Sequence, residues 1–261
     1  MASADSSPSS QRAAQYDGVP ADALASALNV PQVILYESVG STLDVAHELA
    51  AAGAPSGTLV LADTQTAGRG RSGHRWSSPA GSGIWLTLIE RPTDRTALDV
   101  LSLRIGIGAA HALDAFAPEP IRLKWPNDLY VDQHKLGGVL VETRWRSETP
   151  EWVAIGLGVN LTPPEDQSRA TGLDAGTRRT DVLPELIREL REAAAATGGL
   201  TDDELEEYGA RDLARGKMCV EPVRGVVRGV TRHGELLVEL ADAVVKVRAG
   251  SLVFASQQAE Q

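Results

Sequence analysis

The densest chemistry in the chain lies in one short segment, Gly68-Arg69-Gly70-Arg71-Ser72-Gly73-His74-Arg75-Trp76. Its three glycines permit backbone dihedrals closed to other residues and let a ligand approach the main chain. Arg69, Arg71 and Arg75 concentrate positive charge, which suits a carboxylate or a phosphate. Trp76 ends the segment with an aromatic face on which a nucleobase can stack. The glycine spacing also matches GxGxxG, but no compact βαβ unit follows, and no Gly-Lys-Ser/Thr completes a P-loop. Taken alone, the segment reads equally well as a solvated basic loop.

Two lysine segments change that balance. Lys124-Trp125-Pro126-Asn127-Asp128 lies downstream, and Lys135-Leu136-Gly137-Gly138 follows after a short stretch. Pro, Asn and Asp favour turns, so the lysines bracket two strands expected to form a hairpin, and both can reach one pocket. Lys135 then enters an apolar strand, an expensive place for an unpaired ammonium.

These residues need a scaffold, and the hydrophobic pattern supplies one. A short helix over 20–29 precedes a strand at 33–36. Ser41 is placed to cap a helix whose Leu43, Ala46, His47 and Ala50 share one face, with Gly53 as its stop. Strands at 58–63 and 83–90 flank the arginine loop, and residues 95–116 have a helical pattern with Asp94 as cap. Strands rich in Val, Ile and Trp follow around the lysine segments and at 152–161. Two helices come next: one carries Leu183, Leu186, Ile187 and Leu190 on one face, and the other opens with the capping box Thr201-x-x-Glu204. Beyond residue 214 the pattern turns to short strands and glycine turns, with His233-Gly234 at a hairpin, as in a small β-barrel. The Ser-, Ala- and Gln-rich start reads as disordered. The expected organisation is therefore a tail at 1–17, a catalytic domain at 18–214 and a small β domain at 215–261.

The chain as a whole excludes several classes. Its 261 residues are enough for a sizeable core, and 43% hydrophobic with 23% charged residues is ordinary for a globular protein. A net charge of −10 opposes general binding to nucleic acid or anionic membranes. The single cysteine, Cys219, excludes internal disulfides and multi-cysteine metal sites. No apolar run is long enough to span a membrane, and the first residues lack the apolar centre of a signal peptide. A cytoplasmic protein is expected, with neither nucleic acid nor membrane among its partners.

Taken in order, the segments resemble the biotin–protein ligase family. The arginine loop resembles that family's GRGRxGRxW signature, and KWPNDLY and KLGGVLVE match its next two motifs in order and spacing. Ser41-Thr42 resembles the Ser-Thr that opens its first helix. Gln65 resembles the glutamine before the loop, and Gly156-Leu157-Gly158-Val159-Asn160 the later GxGxN strand. The stretch from Gly225 to Phe254 resembles a small SH3-like domain, so the likeness runs over roughly residues 33–255. It implies an α+β fold: a mixed sheet with helices, of the class II synthetase-like biotin–lipoate ligase type, plus a C-terminal SH3-like β-barrel. It also implies an ATP- and Mg²⁺-dependent biotin–[acetyl-CoA-carboxylase] ligase. Such an enzyme makes biotinyl-5′-AMP and passes biotin to a lysine of a biotin carboxyl carrier protein, releasing AMP and pyrophosphate. On this likeness Ser41, Thr42, Gln65, Arg69, Gly70, Arg71, Lys135 and Gly138 line the biotin site, with Lys135, Arg69 and Arg71 catalytic. Trp76, Lys124, Asn127 and Asn160 contact ATP, and Asp128 orients a lysine or helps hold magnesium. The loop is expected to close over the adenylate.

Two positions depart from the family pattern: His74 stands where an arginine is usual, and Leu43 where an asparagine is common. Three rival readings are weighed. A lipoate–protein ligase or octanoyl transferase is disfavoured by the GRGR loop with Trp76, by KWPND and by the β-rich C-terminal part. A DNA-binding repressor needs a helix-turn-helix domain, and about 32 residues before the first strand are too few for one with its linker, which points to the short form of the enzyme. A non-enzymatic binding module would have little use for Lys124 and Lys135. Monomer and homodimer both remain open.

Overall fold

The structure, a computed structural model, describes residues 10–165 and 167–255. Three two-residue strands, β1 (Gln11–Arg12), β2 (Gln15–Tyr16) and β3 (Val19–Pro20), lead into a short helix, α1 (Ala21–Ala27). Then β4 (Val33–Val39) is followed by α2 (Thr42–Ala51) and β5 (Thr58–Gln65), a right-sized crossover for two parallel strands. The strand β6 (Gly83–Glu90) and helix α3 (Leu101–Leu113) follow. Next come β7 (Arg122–Lys124), β8 (Asp128–Val131), β9 (His134–Arg146) and β10 (Thr149–Asn160). Helices α4 (Arg179–Ala195) and α5 (Asp202–Arg211) complete this part.

One eight-stranded mixed sheet, ordered β1-β4-β5-β6-β10-β9-β8-β7, carries the site. Alternation along the strands builds two cores. Val33, Leu35, Leu59 and Leu61 face a large cluster with α3 and α4, whereas Ile34, Tyr36, Val60 and Ala62 face a smaller one with Leu43, Ala46 and Ala50 of α2. Strands buried on both faces need apolar residues at every position, which is why TLVLA and GIWLTLI lack a polar side. The strands β2 and β3 pair with each other, and five C-terminal strands form a further, wholly antiparallel sheet, ordered β14-β13-β12-β11-β15. They are β11 (Met218–Glu221), β12 (Gly225–Val230), β13 (Leu236–Glu239), β14 (Val244–Val247) and β15 (Val253–Phe254). These are the strands expected of the small SH3-like domain. Two of the predicted caps are present: Ser41 accepts from the Leu43 amide, and Thr201 and Glu204 close a reciprocal box. The third is not: Asp94 accepts from the Thr96 amide at 2.8 Å beside a separate short turn, Thr96–Asp99, and α3 starts at Leu101 without a side-chain cap. Among the described residues no helix is long and apolar enough to cross a membrane.

The stretch expected as a disordered tail needs correction. Residues 1–9 lie outside the described residues, but 10–17 belong to the fold. Gln11 and Arg12 pair with β4 at the sheet edge, and the Arg12 guanidinium sits 4.4 Å over the Tyr36 ring. Tyr16 is buried beneath Arg179, 4.2 Å from its guanidinium, and Asp17 is ion-paired with the same arginine. Composition misleads here because an open strand edge offers main-chain hydrogen bonds to any sequence.

Candidate active site

An uncharged hydrogen-bonding shelf forms where α2 begins. The Ser41 cap fixes the first turn, and Ser41 and Thr42 are both almost fully buried. Gln65, at the end of the neighbouring strand, accepts from the Thr42 amide at 2.9 Å and from its hydroxyl at 3.1 Å. The Gln65 amide nitrogen donates to Ser78 Oγ at 2.9 Å, and Thr87 Oγ1 donates to Thr42 Oγ1 at 2.9 Å. The parallel β4–β5 pairing brings these residues together, since Val39 sits opposite Gln65.

The arginine loop is a small β-hairpin. Arg69 bridges Arg75, the Gly70 amide donates to the His74 carbonyl at 2.8 Å, and the Trp76 amide to the Gly68 carbonyl at 2.9 Å. The tip is one tight turn, Arg71–Gly73, in which Ser72 and Gly73 take positive φ of 53° and 76°. Trp76 then lies against the backbone of β9 and β10. A Cβ on Gly158 would come within 2.6 Å of its indole Nε1, and one on Gly138 within 3.5 Å of its ring. At Gly158 only glycine permits that approach, whereas the contact at Gly138 is an ordinary one.

The cations are held in different ways. Lys135 Nζ pairs with Asp128 Oδ1 at 2.7 Å and sits 5.2 Å from the Trp76 ring. Its main chain is gripped from both sides, by the Arg169 carbonyl at 2.8 Å and the Thr171 amide at 2.9 Å. Lys124 is buried, with its ammonium 5.1 Å from Phe254 and 5.7 Å from Tyr130. Burial pushes its pKa below the ordinary lysine value; Asp128 opposes that, and Lys135, Lys217 and Arg169 add to it. Arg71 likewise falls below the usual arginine value through burial, opposed by Asp128. Its Nη1 reaches the Gly250 carbonyl at 3.2 Å and Asn127 Oδ1 at 3.4 Å. Arg69 behaves oppositely: although burial disfavours its charge, Glu142 and Asp44 raise its pKa.

One cavity gathers these groups. Ser41, Thr42, Gln65, Arg69, Gly70, Arg71, Trp76, Lys124, Asn127, Asp128, Lys135 and Gly138 all line it, and His74 is at its mouth-side loop. Its empty space, counted with the open mouth, is about 1000 Å³. Gly156 lies beside Thr87 and Leu43, and Gly158 beside Trp76; two residues of strand separate them by about 7 Å. The uncharged shelf and the cationic end therefore adjoin along one strand.

The sequence pattern of the Biotin/lipoate A/B protein ligase family matches residues 35–160. The bifunctional ligase/repressor BirA of Bacillus spizizenii is 32% identical over 239 residues, covering 85% of this chain and 74% of that protein. The biotin–[acetyl-CoA-carboxylase] ligase of Mycobacterium tuberculosis is 32% identical over 240 residues, covering 85% of this chain and 88% of that protein. The chain belongs to the biotin–protein ligase family. The fold agrees: the Aquifex aeolicus biotin protein ligase, in complex with biotin and ATP, superposes with a TM-score of 0.70 at 23% identity, over 85% of this chain and 97% of that one.

Within this family member, one expected contact falls away from the cavity. Asn160 ends β10, but its side chain donates to the Thr171 carbonyl at 3.2 Å and does not line the cavity. It ties down the segment that grips Lys135. Asp128 is a lysine partner, the first of its two expected roles. It is the one carboxylate lining the cavity, and no cluster of three His, Cys, Asp or Glu able to hold a metal occurs among the described residues. The arginine segment, which alone reads equally well as a solvated basic loop, is a paired hairpin. Sequence reasoning missed Thr87 and Ser78, which complete the shelf, and Ser251 and Leu252, which bring the second sheet to the cavity. A lone threonine inside the apolar run GIWLTLIE was the available signal for Thr87.

Proposed function

We propose that the protein is an ATP-dependent biotin–protein ligase. It joins the biotin carboxylate to the α-phosphate of ATP, giving biotinyl-5′-AMP and pyrophosphate, and transfers biotin to a lysine of a biotin carboxyl carrier protein with release of AMP. The observation that carries this reading is a single cavity with a neutral hydrogen-bonding shelf adjoining a cationic end. A cyclic urea needs neutral donors and acceptors, and Ser41, Thr42 and Gln65, braced by Thr87 and Ser78, supply them. Gly138, Val139 and the Gly156–Gly158 strand offer a close, uncharged wall for the bicyclic body.

The reaction brings two anions together, so it needs cations at the joining point. Lys135, Lys124 and Arg71 line that end and would stabilise the charge that builds on the α-phosphate. The Trp76 face takes the adenine, and Asn127 orients the phosphates beside Lys124. Mg²⁺ would be held chiefly by the nucleotide's own phosphates and would screen their charge; Asp128 is engaged by Lys135. In the second step the carrier's amine attacks the acyl carbon, an amide forms, and AMP leaves against the same cations. We assign catalysis to residues 18–214 and a closing role to 215–261. A cytoplasmic setting suits the free, buried Cys219 thiol.

The test is incubation with ATP, Mg²⁺ and either biotin or lipoate, with a biotin carboxyl carrier domain, read by intact mass. A gain matching biotinyl is expected; a lipoyl gain overturns the reading. In biotin-dependent pyrophosphate exchange, Lys135→Ala loses most adenylate formation, and a near-normal rate removes Lys135 from the mechanism.

A further inference from the structure

Three arginines of the loop line the cavity, and two of them, Arg69 and Arg71, have surroundings that differ in kind. Arg69 belongs to the hairpin stem, and both of its terminal nitrogens are already committed. Nη1 donates to Asp44 Oδ1 of α2 at 2.7 Å, and Nη2 to Glu142 Oε1 of β9 at 2.5 Å. Glu142 is itself fixed from behind. His47 Nε2 meets its other oxygen at 3.0 Å, and Trp152 Nε1 donates to His47 Nδ1 at 3.0 Å. A ring nitrogen that accepts carries no proton, so Nε2 bears the hydrogen and donates to Glu142. A chain of four contacts thus runs from the buried Trp152 through His47 and Glu142 to Arg69, with Asp44 closing it on α2. Among the described residues Arg71, at the tip, donates to two neutral acceptors, Asn127 Oδ1 and the Gly250 carbonyl, while the Asp128 carboxylate acts on it without a hydrogen bond.

We propose that Asp44 and Glu142 are positioning residues that clamp the stem of the arginine loop through Arg69, so that Arg71, and not Arg69, is the loop cation that meets the substrate's carboxylate. This assignment rests on the ligase reading for the identity of that carboxylate, but the clamp itself does not. A third carboxylate at Arg69, which still has N–H groups to donate, would join two carboxylates already paired there and meet their repulsion, whereas an anion at Arg71 meets neutral hydrogen-bond partners. The clamp also divides the loop mechanically. The stem residues 68–70 and 74–76 stay paired and fastened to α2 and β9, and opening is confined to the turn Arg71–Gly73.

The loop contains its own reporter, since Arg69, Arg71 and Arg75 are three tryptic sites within seven residues. In limited trypsin digestion of the full chain, mapped by mass, the first cut is expected after Arg71. Asp44→Asn and Glu142→Gln should speed cutting after Arg69 and Arg75 by about threefold or more, the scale of a half-exposed ion pair, and Asp44→Glu should restore protection. Unchanged stem cleavage in both variants overturns the clamp. A second arm compares calorimetric affinities for biotin and its neutral analogue biotinamide. Arg69→Ala and Asp44→Asn should weaken both ligands by the same factor, about three- to tenfold, leaving their ratio unchanged. Arg71→Ala should bring the ratio towards one. Collapse of the ratio in Arg69→Ala would mean that Arg69 meets the carboxylate directly, and the proposal fails. If the unaltered protein binds neither compound, the ligase reading fails, and the tryptic map still decides the clamp.

Discussion

Two glycines on one strand should separate the enzyme's two substrates. A methyl on Gly158 would lie 2.6 Å from the Trp76 indole nitrogen and 2.8 Å from its Cε2. Carbon contacts relax near 3.5 Å, so the indole must move by about 0.8 Å or more. Its other side is not open, because the ring also rests near Gly138 and against Trp85, with ring centroids 6.5 Å apart. Overpacking of this kind costs roughly 1–3 kcal/mol, which a sheet of this size survives. A displacement near 1 Å at a substrate-positioning group can cost on the order of a hundredfold in rate. Gly156 differs: its methyl would stand 3.2 Å from the Leu140 carbonyl, 3.4 Å from Leu43 and 3.8 Å from Thr87 Oγ1. Small adjustments accommodate it, and it intrudes on the uncharged shelf alone. We therefore expect Gly158→Ala to raise KM for ATP and lower kcat, and Gly156→Ala to raise KM for biotin by about tenfold or more while sparing ATP. Biotin-dependent exchange of labelled pyrophosphate into ATP, with each substrate varied in turn, reads both constants. Gly40→Ala is the control, since nothing lies within 4 Å of its Cβ. The reasoning is refuted if Gly158→Ala keeps its KM for ATP, or if both variants weaken the same substrate.

Two further outcomes follow from charge. Lys124 has a depressed pKa from burial, so it loses its proton earlier than an ordinary lysine as pH rises. Exchange activity should start to fall on the alkaline side below the usual lysine range, and Lys124→Arg should move that fall upward; an identical profile in both proteins would show that Lys124 does not set it. Arg179 is buried and pairs with both Asp17 and Asp63, the latter also accepting from the Gly81 amide at 3.1 Å. Arg179→Ala strands two carboxylates and should cost about 2 kcal/mol, less than a fully buried pair because the acids are part-exposed. Thermal unfolding with no drop in Tm would contradict it.

The chemistry-bearing residues were legible in the sequence where they come in runs. The arginine loop and both lysine segments announce themselves because several unusual residues are adjacent, and the strands between them follow from Val- and Ile-rich patterning. Thr87 was not legible as a site residue. It becomes one only through register, since antiparallel pairing of β6 and β10 sets it opposite Gly156. Asp44 and Glu142 carry no signal in the sequence, because nothing local says that α2 and β9 converge on one arginine. Asn160 shows the opposite error: its place at the end of β10 was foreseeable, but the direction of its side chain depends on a segment that folds back eleven residues later. The contribution of Gly250 is a main-chain carbonyl, which no residue type encodes.

The net charge of −10 makes the site's composition more telling. Five cations, Arg69, Arg71, Arg75, Lys124 and Lys135, line the cavity against the single carboxylate of Asp128. Like charges at this spacing repel, and a bound anion would relieve that repulsion. The fold limits that repulsion without spending the charges. Lys135 leans on Asp128 and the Trp76 face, Lys124 on two aromatic rings, and Arg69 on acids that sit outside the cavity lining. Aromatic faces are well suited to this task, because they steady a cation without neutralising it. On the proposed reading, Lys124 is held by partners that leave its charge available, Lys135 keeps one carboxylate beside it, and Arg69, with two, is the arginine that fastens the stem. Placement of carboxylates, more than of cations, therefore determines which positive charges in this cavity can do chemistry.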